Sequence, residues 1–129
     1  MTIKSEEKQL MKREEDNIIL VKSKALALSI IKLYKFLCDE KKEYVLSKQV
    51  LRSGTSIGAN VKEAVSAQSK ADFVSKLFIS LKEANETEYW LELLHESNFI
   101  EDVVFDEVYA QNKEVVKIIT SILKTTRNN

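Results

Sequence analysis

Proline is absent from this 129-residue chain, and glycine occurs only as Gly54 and Gly58. With so few helix breakers and turn formers, long helices meet no interruption and tight β-hairpins have little to build on. Cys38 is the single cysteine, which excludes an intramolecular disulfide and a thiolate zinc cluster. His95 is the single histidine, so a Ser-His-Asp arrangement would depend on that residue alone. No charge excess exists either: 20 basic and 20 acidic residues cancel, and the strong positive footprint of a dedicated nucleic-acid binder is missing. No run approaches the length of an apolar membrane span, and Met1–Asp16 is of mixed charge, unlike a signal peptide. A lone thiol suits a reducing compartment, and the expectation is a soluble cytoplasmic protein.

What is present is helical periodicity. At 129 residues with 44% apolar content, one domain with one core is expected. Residues 1–15 are polar, rich in Lys and Glu, and read as a frayed or partly helical arm. From Asp16 to Asp39 the set Ile18, Val21, Ala25, Leu28 and Ile31, with Ile30, Leu33, Tyr34 and Leu37, gives a first helix that is apolar over more than one side. Asp39 to Glu43 breaks the pattern. Ser47 is placed to cap a second helix running to Ala67, with Leu46 and Leu51 as a hydrophobic staple. Ser69 and Asp72 form a capping-box pattern ahead of a third helix, Lys70 to Glu96. After Ser97–Ile100, Glu101 and Asp102 suit the positive end of a fourth helix that carries Val104, Val108, Val115, Ile118, Ile119 and Ile122 and ends near Lys124. Short connections between four such helices predict an all-α, antiparallel up-down-up-down four-helix bundle over residues 16–125, with a tail at 126–129.

Two stretches put polar or small residues where an ordinary helix would be apolar. Arg52, Ser56, Asn60 and Glu63 recur at spacings of four, four and three along one side of helix 2. Gly54 and Gly58 make a small-residue row that permits close approach of a neighbouring backbone, within the bundle or between subunits. Each glycine inside a helix costs about 1 kcal/mol relative to alanine, so a close contact is the expected compensation. A hairpin turning at residues 67–68 places Arg52 near Glu83 and Asn60 near Ser75. Arg52, Ser56, Asn60, Glu63, Glu83 and Glu86 then form a structural polar network that sets register.

Chemistry is harder to find. Glu92 and His95 have the E-x-x-H spacing of di-iron bundles, but those sites need a second such pair and further glutamates. Neither a P-loop nor a dinucleotide fingerprint is present, because Gly54 and Gly58 lie inside a helix with no strand before them. Cys38 reads as a buried helix residue, and Tyr89 and Trp90 as packing anchors rather than base-stacking platforms. The expectation is no catalytic, cofactor-binding or metal-binding residue, no small-molecule substrate and no membrane partner. Charge is unevenly placed: residues 17–66 hold nine basic and four acidic side chains, residues 67–100 three and six. The two segments suit solvated faces or complementary surfaces that meet between subunits. A basic surface of Lys22, Lys24, Lys32, Lys35, Lys48 and Lys62 is the candidate nucleic-acid contact.

The stretch Gln49-Val50-Leu51-Arg52-Ser53-Gly54-Thr55-Ser56-Ile57-Gly58-Ala59-Asn60-Val61-Lys62-Glu63 resembles the signature of bacterial four-helix-bundle proteins first noticed as open reading frames in intervening sequences of 23S ribosomal RNA genes. The segment from Asp72-Phe73 to Lys82-Glu83-Ala84-Asn85-Glu86-Thr87-Glu88-Tyr89-Trp90-Leu91-Glu92-Leu93-Leu94 is similar to the third helix of that family, and the likeness covers residues 17–124. Ala64 stands where many members carry glycine. The resemblance implies a bundle that assembles as a ring, commonly a homopentamer, with no established enzymatic activity. A related branch, the accessory variability determinant of diversity-generating retroelements, is a strongly basic pentameric ring that binds nucleic acid and a reverse transcriptase. This chain is neutral by comparison. The partners implied are therefore further copies of the chain, with RNA or a nucleic-acid-processing protein as the alternative.

Overall fold

The computed structural model describes the backbone of residues 3–127 and the side chains of residues 18–127. Four helices follow one another: α1 Ile3–Asp39, α2 Leu46–Val65, α3 Lys70–Glu96 and α4 Asp102–Arg127. Each packs on its neighbours in sequence, and α1 closes the ring against α4. The diagonal pairs α1/α3 and α2/α4 do not pack, which is the arrangement of an antiparallel bundle joined by short connections. The side chains of the polar arm expected at 1–15 lie outside the described residues, as do Asn128 and Asn129 of the expected tail; the backbone of α1 is helical from Ile3.

The core is a single cluster drawn from all four helices, including Leu26, Ile30, Ile57, Leu77, Leu91 and Ile119, each at most 1% exposed. On α1 the buried row is Ile19, Leu26, Ile30, Leu33 and Leu37, with Ser23 among them. Ile18, Val21, Ala25 and Leu28, which periodicity counts in the same apolar stripe, point to solvent. One helix can bury only about a third to a half of its circumference in a four-helix bundle, so an α1 that is apolar over more than one side must leave part of that surface outside.

Both glycines contact α1. A Cβ on Gly54 would sit 2.8 Å from both Cγ atoms of the fully buried Ile30, and one on Gly58 would meet the Ser23 hydroxyl at 3.3 Å. The close approach is therefore within the bundle, between α1 and α2. With both glycines spent there, the turns use other residues: Lys42 and Asn98 have positive φ, 53° and 65°. At Asn98 this closes a helix-end motif in which the Asn98 amide donates to the His95 carbonyl and the Phe99 amide to the Leu94 carbonyl.

The start of α2 corrects the expectation for Ser47. Leu46 is already helical, and the cap is the Glu43 carboxylate, which accepts from the amides of Val45 (3.3 Å), Leu46 (3.1 Å) and Ser47 (2.8 Å). The Ser47 hydroxyl is buried and donates to the Glu43 carbonyl at 2.8 Å. A carboxylate placed before the helix satisfies several free amides and meets the positive end of the dipole, which a single hydroxyl cannot match. Glu43→Ala is expected to lower stability by about 1–2 kcal/mol, read as a lower urea midpoint with unchanged slope. At α3 the Ser69 hydroxyl accepts from the Asp72 amide at 3.1 Å, the first bond of the expected capping box.

Candidate functional site

The α2/α3 pair carries most of the polar residues singled out from sequence, but one helical turn out of the expected register. Arg52 meets Glu86 at 3.6 Å rather than Glu83, Glu63 meets Lys76 at 3.4 Å, and the Ser80 hydroxyl donates to the Ile57 carbonyl at 2.8 Å. The first turn of α3 overhangs the end of α2, so counting symmetrically from the loop underestimates the offset. Asn60 does not reach Ser75; its side-chain amide donates to the Ser56 carbonyl on its own helix, at 2.8 Å. Ser56 likewise donates back to the Arg52 carbonyl.

These residues line the surface of the seam rather than its interior. The Arg52 and Glu63 side chains are 66% and 61% exposed. The buried polar contacts belong to smaller neighbours: Thr87 donates to the Glu83 carbonyl at 2.8 Å, its oxygen lies 2.9 Å from the Ser53 hydroxyl, and all three of Ser53, Ser80 and Thr87 are 0% exposed. Sequence reading passed over them because Ser and Thr inside a helix are common as solvent-facing residues; the signal was their place on the i, i+3, i+4 row of Val50, Ile57 and Leu91. Thr87→Val alone removes the donor that the Ser53 oxygen accepts, leaving that hydroxyl only its long 3.5 Å bond to the Val50 carbonyl, and is expected to cost about 1–2 kcal/mol, whereas Ser53→Ala with Thr87→Val is expected to be nearly neutral. A double-mutant cycle in denaturant checks this.

Glu83 is half-buried, and its Oε2 has no hydrogen-bond partner; the same holds for the Trp90 indole nitrogen. Burial, then the neighbouring Glu86 charge, raise the Glu83 pKa above the ordinary carboxylate value, while Arg52 and Lys82 pull against them. Ile79, Glu83, Glu86, Trp90 and Leu93 recur at four, three, four and three along one side of α3, beside Arg52 and Ser56. Trp90 packs against the core, as expected of an anchor, whereas Tyr89 is 55% exposed.

The adjoining seam, α3/α4, holds a separate polar chain. Tyr109 donates to Glu88 Oε1 at 2.7 Å and Lys113 bridges the same oxygen at 2.6 Å. Hydrogen bonds from Lys113 and then Tyr109 hold the Glu88 carboxyl below its usual range, and the bond to Glu88 raises Lys113. Because the folded Glu88 pKa lies below the unfolded one, its contribution is present above the unfolded value near 4.5 and is lost as pH falls through the folded value. Glu88→Gln is expected to lower Tm by about 1–3 °C at pH 7, a difference that closes under acid conditions. His95 pairs with Asp102 at 2.6 Å and stacks on Phe105, so the residue of the E-x-x-H pattern ties the end of α3 to the start of α4. Among the described residues no three His, Cys, Asp or Glu side chains converge as a metal set. Cys38 is half-buried rather than buried, with its sulfur 3.8 Å from the Ser47 hydroxyl, and that thiol raises the pKa of Tyr34.

Of the candidate basic residues, Lys22 is paired with Glu114 across the α1/α4 seam at 3.0 Å. Lys24, Lys32, Lys35, Lys48 and Lys62 are exposed and form no ion pair among the described residues. No described helix is long and apolar enough to cross a membrane.

A proline-free four-helix bundle, with α1 pressed onto two glycines of α2 and small hydroxyls bridging α2 to α3, defines an all-α helical-bundle protein. The model of the 23S rRNA-intervening sequence protein family matches residues 15–121, and the chain belongs to that family. It is also similar to the crystal structure, at 1.70 Å resolution, of a protein with unknown function from the S23 ribosomal protein family from Bacteroides thetaiotaomicron. That likeness has 54% identity and a TM-score of 0.84, covering 85% of this chain and 98% of the other. No curated protein matches the sequence.

Proposed function

We propose that the chain is a non-enzymatic assembly module whose bundle forms a cyclic homo-oligomer, with five subunits the number its family resemblance favours. The observation that carries this reading is the outer face of α1, where Ile18, Val21 and Leu28 are 50%, 62% and 59% exposed on a helix that already fills its share of the core. Apolar residues aligned on one face lose hydration cost when another surface covers them, at roughly 25 cal/mol per Å2. Multi-angle light scattering on the native protein tests the reading: a discrete oligomer of the 14.8 kDa chain is expected, and a strict monomer at micromolar concentration overturns it.

A second reading is supported by the five unpaired lysines of α1 and α2. In it the chain is an accessory protein that offers Lys24, Lys32, Lys35, Lys48 and Lys62 to RNA phosphates. Its mark would be binding to a 23S ribosomal RNA fragment that weakens steeply with salt; absence of binding at low salt removes it.

A further inference from the structure

We infer that the subunits join head to tail, the outer row of α1 on one copy seating against the α3 row beside α2 on the next; this rests on the assembly reading above and names its two faces. The α1 row is Ile18, Val21, Ala25, Leu28, Lys32 and Lys35, spaced three, four, three, four and three, and all six are exposed. That is the spacing of a helix that pairs with another helix along a seam, and it is apolar over its first part and cationic over its last. The α3 row has the same spacing and the converse chemistry: Ile79, Trp90 and Leu93 are apolar, and Glu83 and Glu86 are acidic between them.

The two rows lie on opposite sides of the bundle. Lys22, one turn from Ile18 and Ala25, bridges to Glu114 of α4, so the α1 row borders the α4 side. Glu86 bridges to Arg52, so the α3 row borders α2. The helices α1 and α3 are diagonal and do not pack on each other within the subunit. Two different faces on opposite sides cannot make a closed two-fold dimer from one contact; repeated, such a contact generates a ring or a filament. Charge selects the occupant: a second copy brings Lys32 and Lys35 to a face that carries Glu83 and Glu86, while α1 laid parallel against α1 would set lysines against lysines.

The test uses two variants of the full chain, Val21→Glu with Leu28→Glu on the first face and Ile79→Arg with Glu86→Lys on the second, each checked for helicity by circular dichroism. The exposed sites on α1 leave folding unchanged; Ile79→Arg alone serves if the second pair perturbs the bundle. In light scattering each variant is expected to run at the 14.8 kDa monomer mass, and an equal mixture of the two to form a one-to-one dimer, because each supplies the face the other has lost. A second-face variant that keeps the wild-type mass, or a mixture that stays monomeric, overturns the face assignment while leaving the assembly reading intact. A monomeric wild type removes both, and one that instead gains mass with RNA in a Lys32- and Lys35-dependent way assigns the α1 row to nucleic acid.

Discussion

Gly54→Val is expected to destabilise the bundle by about 3 kcal/mol, the upper end of what overpacking a close contact costs. The new Cβ alone would stand 2.8 Å from Cγ1 and Cγ2 and 3.2 Å from Cβ of Ile30, atoms near the branch point of a stiff side chain that is 0% exposed. Rotating Ile30 offers little relief, so α1 and α2 must separate, and the core between them loses contacts on both sides. For a chain of this size that corresponds to a fall in Tm of about 10 °C, measured by circular dichroism. Gly58→Ala provides the contrast. Its Cβ meets the Ser23 hydroxyl at 3.3 Å and the Ser23 carbonyl oxygen at 3.4 Å, a tight but tolerable approach, and the gain in helix propensity of about 1 kcal/mol offsets it. A change within about 0.5 kcal/mol is expected there. A gain in stability at both positions would show that neither glycine is needed for close approach and that only helix propensity changes.

Asn112→Asp is expected to have an effect of similar size, but one that depends on pH. Asn112 is 0% exposed on α4, and its side-chain amide donates to the Ala84 carbonyl of α3 at 3.0 Å while Oδ1 finds no partner. A carboxylate at that place would turn a donor into a negative oxygen facing a carbonyl, inside a site without solvent. The acid can persist only by holding its proton, which raises its folded pKa above the unfolded value of about 3.9. Its neutral form can still donate to Ala84, so the variant is expected to match wild type below the unfolded value. As pH rises from there the deficit grows, reaching about 3 kcal/mol by pH 7. Urea titrations of both proteins at pH 4 and pH 7 isolate the effect, since the Glu88 contribution cancels between them. A deficit that is the same at both values would mean that lost packing, not charge, is responsible.

The bundle was legible because its signals are local. Helix α3 runs from Lys70 to Glu96 as the Ser69 cap and the apolar spacing foretold, and both mark positions within a turn or two of each other. The break before α2 is also legible, but the sequence points to Ser47 as its cap, whereas Glu43 supplies it. A side chain that reaches forward over a non-helical segment is not in the usual capping alphabet, so composition at one position could not reveal it. The spacing puts Arg52, Ser56, Asn60 and Glu63 along one side of α2 but carries no information on how deep that side lies. Arg52 and Glu63 share a face with Asn60, yet which face of α2 enters the core depends on where α1 and α3 sit.

By itself the sequence determined four helices and their antiparallel order, since propensity, capping and short connections act over a few residues. Only the tertiary structure decided that the Ile18, Val21, Ala25 and Leu28 row stays outside while Ile19, Leu26 and Ile30 go in. It likewise decided that α3 slides one turn along α2, so that Arg52 takes Glu86 and the buried hydroxyls of Ser53 and Thr87 meet. Both outcomes follow from packing: a helix with more apolar surface than the core can accept is rotated by whichever side chains interdigitate best. Here that rotation is set by two glycines that let Ile30 and Ser23 come close.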